Sequence, residues 1–597
     1  MISVRLRDPL AVAAVASLGV LAFSNTFANA FHFDDSYAIV DNFAIRDVRN
    51  LRLIWDFWPM RFITFYSLAW NYHWAGLSVF GYHLMNLLIH GTTAALAGWL
   101  TVLTLRTPAL REEPLSGQAV TVGIFAGAIF LLHPLQTQSV NYLIQRGVLW
   151  VGLFYTAAMC FYVKARQPRP AGNGTGALFY AAALAMAALA AFSKELAISL
   201  PFMVCLYEFC FLKGDGRRGW RWAAPFFLMI VLMGAVMQAT HSVNFLELRK
   251  ATDGPAGIST GQYCLTQLKV LATYLRLLVF PFHQNLAYDY PIARTLWETP
   301  VLLSLGLLLL VIGVAAGLWR KFRFLSFGIF WFLIALVPES SLVPIKDVIF
   351  EHRLYLPVAG FSFFLAAGAC YIFKGRHQKW AFIALAVLVG GYALLTYQRN
   401  KVWRSEYTLW DDVIHKSPRL ARAYLNRGAA SHMRGDIGPA FQDYNKAIEL
   451  GMDDPIVFNN RGMIFQSRGD VRSALADYDE GIRLNPLYAG IWNSRGVAYR
   501  AIGQLDAAIR DFSMAVKINR YYTTAIFNRG TTYQLKGDLD PALADYDAAL
   551  RQDPRLGAAY ANRARIYLFR REEQKGWADV QKARDLGLTV NMRPAPP

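Results

Sequence analysis

From residue 9 to about residue 398 the chain is a succession of long apolar runs separated by polar breaks. A helix of about 20 mostly apolar residues crosses a bilayer. Runs of that kind stand at 9–30, 84–104, 119–133, 147–163, 176–193, 196–212, 222–240, 299–318, 324–338, 355–373 and 380–398. The pattern therefore predicts a polytopic bundle of about eleven spans. Two breaks are long. The one at 31–83 mixes Trp55, Trp58, Trp70 and Trp74 with Arg46, Arg49, Arg52 and Arg61, which predicts amphipathic helices at the membrane interface. The one at 241–298 holds an apolar stretch, Leu265–Phe282, whose crossing is left open.

After about residue 400 the apolar runs give way to a periodic polar pattern. Asn426-Arg427-Gly428 recurs as Asn460-Arg461-Gly462, Ser494-Arg495-Gly496, Asn528-Arg529-Gly530 and Asn562-Arg563-Ala564, each 34 residues on. Gly435, Gly469, Gly503 and Gly537 keep the same step, as do Ala440, Ala474, Ala508 and Ala542. Asp443-Tyr444, Asp477-Tyr478, Asp511-Phe512 and Asp545-Tyr546 follow it too. This period and residue order resemble tetratricopeptide repeats, in which each unit is a pair of antiparallel helices. The small residues let the two helices approach and the aromatics fill the space between them. A fifth unit departs at Ala564, Arg571, Gly576 and Val580, as a capping repeat does. The fold class is all-α: a membrane bundle at 1–398, a linker and leading helix at 399–420, an α-solenoid of about five repeats at 421–588 and a tail at 589–597.

The net charge of +19 suggests nucleic acid as a partner until the basic residues are located. Arg5 and Arg7, Arg106 and Arg111, Lys164, Arg166 and Arg169, Lys213, Arg217 and Arg218, Arg320, Lys321 and Arg323, and Lys374, Arg376 and Lys379 all flank spans. Each cluster falls on the side of the N-terminus, so this charge sets topology and that side is cytoplasmic. Nucleic acid is excluded as a partner. Eleven spans then carry the repeats to the opposite face. The first apolar segment ends in Ala28-Asn29-Ala30, like a signal-peptide cleavage site, but is read as an uncleaved anchor. The five cysteines, Cys160, Cys205, Cys210, Cys264 and Cys370, lie in apolar stretches without metal-type spacing. Asn173-Gly-Thr175 is a sequon in a loop placed on the cytoplasmic side.

Candidate chemistry gathers at the outer ends of the spans. Asp34 and Asp35 follow the first span in Phe31-His32-Phe33-Asp34-Asp35. A carboxylate at a membrane edge is costly without a task or a partner, and two adjacent acids repel, which raises one pKa and suits it to proton abstraction. His83, Asn86 and His90, then His133-Pro134, Arg146, Lys194-Glu195 and Glu351-His352-Arg353 lie on the same predicted side. Packing histidines, an internal ion pair at Lys194-Glu195, and snorkelling of Arg61, Arg146 and Arg353 are the bland alternatives. No Walker glycine loop, HExxH or GxSxG motif competes.

Taken in order, Phe-x-Asp-Asp, Tyr82-His83-x-x-Asn86, His133-Pro134-x-x-Thr137, Ser193-Lys194-Glu195 and Glu351-His352-Arg353-Leu-Tyr355, followed by 34-residue repeats, resemble the transmembrane, repeat-containing O-mannosyltransferases of the GT-C superfamily. The resemblance runs from about Phe31 to the last repeat. It implies a polyprenyl-phosphate sugar donor, an acceptor on the periplasmic or lumenal face, and an acid of the first outer loop as catalytic group. Carried over, Asp34 and Asp35 match the acid pair, and Arg353 with its neighbours matches the late loop motif. Gln138 stands where relatives have an acid, and Arg146-Gly147-Val148 replaces an Arg-x-Asp step.

The expected reaction transfers a sugar to a protein hydroxyl by one inverting displacement, with Asp34 or Asp35 removing the hydroxyl proton. A buried phosphate needs cations or donors. Arg61, His83, His133, Arg146, Lys194, Glu195, Glu351, His352, Arg353 and Tyr355 are the candidate donor-binding residues. A divalent metal is left open, and so is the identity of the sugar. The partners are the bilayer, the lipid-linked sugar and an acceptor or partner polypeptide on the concave face of the repeats. A multi-pass bacterial inner-membrane protein is favoured over one of the endoplasmic reticulum. Transfer to a lipid-linked or surface glycan, a scaffold without chemistry, and a lipid transporter are the rival readings.

Overall fold

The computed structural model describes residues 7–167, 175–212, 216–240, 258–340, 344–345, 347–373 and 375–590. Arg5, Arg169, Lys213, Lys374 and the sequon's Asn173 lie outside these, and only the backbone is described at Arg7, Arg217 and Arg218. Every regular element among the described residues is helical. The chain divides into two compact units, Met1–Ser417 and Pro418–Pro597.

Among the described residues of the first unit, seven helices are long and apolar enough to cross a membrane: Pro9–Ala28, Val79–Leu105, Pro114–Leu132, Leu143–Arg166, Gly219–Ala239, Thr299–Leu318 and Gly375–Arg404. Three shorter apolar helices, Thr175–Ala191, Arg323–Leu336 and Pro357–Ile372, occupy three more of the expected spans. The unit is that of a multi-pass membrane protein. The expected span at 196–212 is different. Lys194 is extended, Glu195–Ser199 forms a 3-10 turn, and only Leu200–Phe211 is α-helical, starting with Pro201 in its first turn. At 12 residues this helix is about 18 Å long, short of the hydrocarbon thickness. The break brings Lys194 and Glu195 to a turn, where side chains from other helices meet them. Leu265–Phe282 belongs largely to the Thr260–Val279 helix. That helix carries Gln262, Gln267, Lys269 and Arg276 and is not among the seven.

One crossing brings two helix backbones together at two points. A Cβ on Gly98 would lie 2.7 Å from the Gly123 carbonyl, and one on Gly127 2.8 Å from the Ala94 carbonyl. Glycine alone allows the Val79–Leu105 and Ala119–Leu132 helices this approach, as small-residue steps do in membrane bundles. The long 31–83 segment forms its own small core from Ile39, Ile45, Ile54, Phe65, Leu68 and Tyr82, closed by Leu143. This core sits beside the acid pair.

The second unit is a tetratricopeptide-repeat array of five helix pairs, from Ala421–Met433 with Ile437–Glu449 to Gly557–Phe569 with Glu573–Asp585. Gly428, Gly462 and Gly496 leave room for the rings of Tyr444, Tyr478 and Phe512, where an added Cβ would sit within 2.8 Å of a ring carbon. In the fifth pair Ala564 replaces the glycine and Val580 the aromatic, so the two changes compensate in volume. Gly435, Gly469, Gly503 and Gly537 end the first helix of their pairs at φ between +77° and +92°. This is a left-handed C-cap that favours glycine.

Candidate active site

The two adjacent acids have opposite surroundings. Asp35 is completely buried. Its Oδ2 accepts the main-chain N–H groups of His32 (3.0 Å) and Leu143 (3.3 Å), and its Oδ1 that of Ile144 (2.7 Å). Burial raises its pKa to about 7 against the opposing pull of these bonds and of His32. Burial, rather than repulsion from Asp34, is the leading cause. Asp35 thus staples the loop to the turn at 143–144. Asp34 is exposed. The Tyr142 hydroxyl donates to its Oδ2 at 2.6 Å and accepts the Asp34 N–H at 3.3 Å. Burial, then the charges of Asp34 and Asp35, keep Tyr142 protonated by raising its pKa well above the ordinary value, so it remains a donor.

The loop is strained. Phe33 has φ +49°, a left-handed conformation that costs a non-glycine residue about 1 kcal/mol or more. It is held from outside by the segment that follows the last apolar helix. Glu406 Oε1 accepts the Phe33 N–H at 2.6 Å, and His32 Nε2 lies 2.6 Å from the Trp403 carbonyl. Ser405 starts the Glu406–Lys416 helix with a reciprocal cap through Thr408, which sets Glu406 in the first turn facing the loop.

A second group collects cations. Arg61 makes a forked pair with Glu195 at 3.2–3.3 Å. Lys194 Nζ lies 3.0 Å from Glu339 Oε1, and Arg353 Nε lies 4.0 Å from Glu339 Oε2. The Arg353 guanidinium also donates to the carbonyls of Val348 (3.0 Å) and Asp347 (2.8 Å). Burial opposes ionisation of Glu339, but Lys194 and Arg353 outweigh it and hold its carboxyl below the usual range. Burial lowers the Lys194 pKa despite Glu339. Burial, then Lys194, Arg353 and Arg61, push His352 well below the ordinary histidine value, so it is neutral. His352 Nδ1 and Glu339 Oε2 are buried without a hydrogen-bond partner among the described residues. Such orphaned groups in a cationic pocket are unusual.

One turn joins the two groups. Tyr142, Leu143 and Ile144 hold the acids, and the next residue, Gln145, reaches Lys194 (3.4 Å). Gln138 accepts the His352 N–H at 2.8 Å from the adjoining Gln136–Asn141 helix.

The remaining candidates lie in the packed interior. Arg146 is fully buried and donates to Asn86 Oδ1 (2.7 Å), the Tyr82 carbonyl (2.9 Å) and Asn71 Oδ1, all neutral acceptors. His83 meets the Asn29 carbonyl (3.0 Å), and His133 the Leu278 carbonyl (3.0 Å). The Tyr355 hydroxyl meets His90 Nδ1 (3.0 Å). Glu351 accepts from the Asn285 N–H (2.5 Å), the Tyr288 hydroxyl (2.6 Å) and the Gln284 amide (3.1 Å), and burial raises its pKa. The structure thus brings Arg61, Lys194, Glu195, His352 and Arg353 together and leaves Arg146, His83, His133, Glu351 and Tyr355 with internal partners. Sequence reasoning missed Tyr142, Gln145, Glu339 and Glu406. A glutamate ending an apolar helix, Pro338-Glu339, is a signal that could have found one of them. Among the described residues no three His, Cys, Asp or Glu side chains converge as a metal cage.

A family model described as tetratricopeptide repeat matches residues 459–522, and another matches residues 523–556. Among solved structures, MamA matches with 21% identity and a TM-score of 0.25, covering 27% of this chain and 93% of that one. YrrB, titled a TPR protein with an unusual peptide-binding site, matches with 22% identity and a TM-score of 0.26, covering 30% of this chain and 92% of that one. Over the longer range the chain is 25% identical to protein O-mannosyl-transferase Tmtc3 of Drosophila melanogaster, covering 73% of this chain and 54% of the relative. The human TMTC3 protein O-mannosyl-transferase is 24% identical, over 72% of this chain and 50% of the relative. F38B6.6 of Caenorhabditis elegans, with the same description, is 25% identical, over 73% of this chain and 62% of its own length. The chain spans about half the length of the relatives it matches, and over that length it is similar to proteins named protein O-mannosyl-transferases.

Proposed function

We propose that this chain is an integral-membrane O-mannosyltransferase of GT-C type. It moves a sugar from a polyprenyl-phosphate donor to a protein hydroxyl on the face of the membrane that carries the Asp34 loop. The observation that carries the reading is the turn at 142–145, which ties an exposed, oriented carboxylate to a partly buried cluster of three cations and two carboxylates. In this reading the donor phosphate lies against Lys194, Arg353 and Arg61, with the polyprenyl tail among the apolar helices. Charge-assisted bonds to the phosphate replace those now made to Glu339 and Glu195. Asp34 takes the proton of the acceptor hydroxyl as the oxygen attacks the anomeric carbon. The bond to the phosphate breaks on the opposite side, polyprenyl phosphate leaves, and the configuration inverts. The Tyr142 hydroxyl aims the carboxylate, and Asp35 holds the loop. The repeats present the acceptor polypeptide. This face is the periplasmic or lumenal one, and a bacterial inner membrane is the setting.

The test is transfer in vitro from a synthetic polyprenyl-phosphate mannose to serine- and threonine-containing polypeptide, read as a one-hexose mass increment. Wild-type protein should produce it, and Asp34→Asn should reduce it by about 10²–10⁴-fold, the usual contribution of a positioned base. Equal transfer by both would overturn the assignment. An increment found on glycan and never on protein would move the function to glycan assembly.

A further inference from the structure

We propose that Glu406 is a positioning residue for Asp34, so that the Trp403–Trp410 segment, more than 360 residues along the chain from the acid loop, is part of the active site. The inference rests on the transferase reading for its chemistry, but the contact it invokes stands on geometry alone. Glu406 forks between two donors. Its Oε1 takes the Phe33 N–H at 2.6 Å, and its Oε2 takes the Trp410 indole N–H at 2.6 Å. The first bond is to the residue immediately before Asp34, the one with φ +49°. The second fixes the carboxylate against its own helix. Rings close around both. Phe33 meets Trp410 edge to face at 5.6 Å, Tyr142 stacks on Trp403 at 6.1 Å, and His32 packs on Trp403 at 5.7 Å. Tyr142 is the residue whose hydroxyl orients Asp34. Glu406 and Trp403 therefore hold both the backbone that carries the acid and the phenol that aims it. A carboxylate suits the role because it accepts at both oxygens and donates at neither. Glutamine keeps one acceptor and turns an NH₂ toward the other N–H.

The experiment uses the full chain in detergent or nanodiscs and compares wild type, Glu406→Gln, Glu406→Ala and Trp410→Phe, with Asp34→Asn in parallel. A catalytic group displaced by about 1 Å loses on the order of 10²-fold in rate. Glu406→Ala should lower kcat by about that factor while the KM for the lipid donor stays within about threefold, because the cation cluster is untouched. Glu406→Gln should fall between the two, and Trp410→Phe should lose about threefold to tenfold, as loss of one of the two supports implies. Hydrogen exchange of the peptide spanning residues 31–36 should accelerate in Glu406→Ala while peptides of the Val79–Leu105 helix keep their wild-type rates. Wild-type kcat in Glu406→Ala would overturn the proposal, as would a general rise in exchange across the membrane unit or a loss that falls on donor KM instead of kcat. If Asp34→Asn is fully active, the base assignment fails. The exchange of residues 31–36 then still decides whether Glu406 holds the loop, and unchanged exchange there would overturn that as well.

Discussion

Arginine–carboxylate pairs serve the two units of this protein in opposite ways. In the repeat array Arg427, Arg461, Arg495, Arg529 and Arg563 each grip an aspartate 16 residues later through two bonds. Four of them reach back to the preceding helix pair as well, at Asn445, Asp479, Ser513 and Asp547. Every repeat solves the same local problem, and the cations end with their bonds filled. In the cation cluster of the membrane unit the partners are far apart in sequence and shared: Arg61 meets Glu195 across 134 residues, and Lys194 and Arg353 share Glu339. There, buried polar atoms of Glu339 and His352 lack hydrogen-bond partners among the described residues. A repeated, saturated pair is architecture. A unique, shared and incompletely bonded one marks a place where another charged group belongs.

The largest effect expected from breaking this contrast lies at the acids. Asp34→Asn should reduce transfer by about 10²–10⁴-fold at an unchanged thermal midpoint. Asp35→Asn should lower both, because an amide NH₂ would then face main-chain donors and leave a buried bond unmade, a loss of about 1–3 kcal/mol. Equal behaviour of the two variants in a melting assay would contradict the division of roles. Next come the cations. Lys194→Met should destabilise the membrane unit by about 3–5 kcal/mol by leaving Glu339 buried with a weaker partner. Adding Glu339→Gln should restore the midpoint but not transfer. Recovery of both would make the cluster purely structural. In the array, Arg495→Ala removes bonds to Asp511 and Asp479 and should cost about 1–3 kcal/mol, visible as earlier loss of helical circular dichroism on heating, while transfer to a short soluble acceptor stays at the wild-type rate.

The smallest effect is one of pH. Asp35 binds its proton more tightly in the folded chain, with a pKa near 7, than the ordinary value of 3.8. The folded state therefore holds more protons than the unfolded state between those values. The stability that Asp35 confers relative to Asp35→Asn should fall as pH rises from 4 to 7 and level off above 7. A difference that stays level over that range, measured by thermal midpoint in detergent, would show that the acid is ionised in its buried site.

The same contrast explains what could be read in the sequence. The array was legible residue by residue because each Arg, Gly, Asp and Tyr repeats at a fixed step and each contact is local. The apolar helices were legible because the bilayer demands length and composition. The segment at 196–212 misled because an apolar run says nothing about a break forced by Lys194, Glu195 and Pro201. Asp34, Lys194 and Arg353 stood out as polar groups at membrane edges. Tyr142, Glu339 and Glu406 did not, because a tyrosine, a helix-end glutamate and a polar-linker glutamate are ordinary until the fold shows what they touch. Nor could one residue of difference in register within a loop reveal that Asp35 turns inward while Asp34 faces out.

The clasp between Phe33 and Glu406 also has a consequence for how the protein is made. The acid loop leaves the ribosome early, but its support is translated roughly 370 residues later, about 20–70 s at the usual pace of synthesis. During that interval no strut holds the left-handed turn at Phe33, and a chain interrupted anywhere before Glu406 carries its acid without the means to aim it. In the proposed mechanism, competence arrives with the last piece of the membrane unit, and partly made or truncated copies are silent.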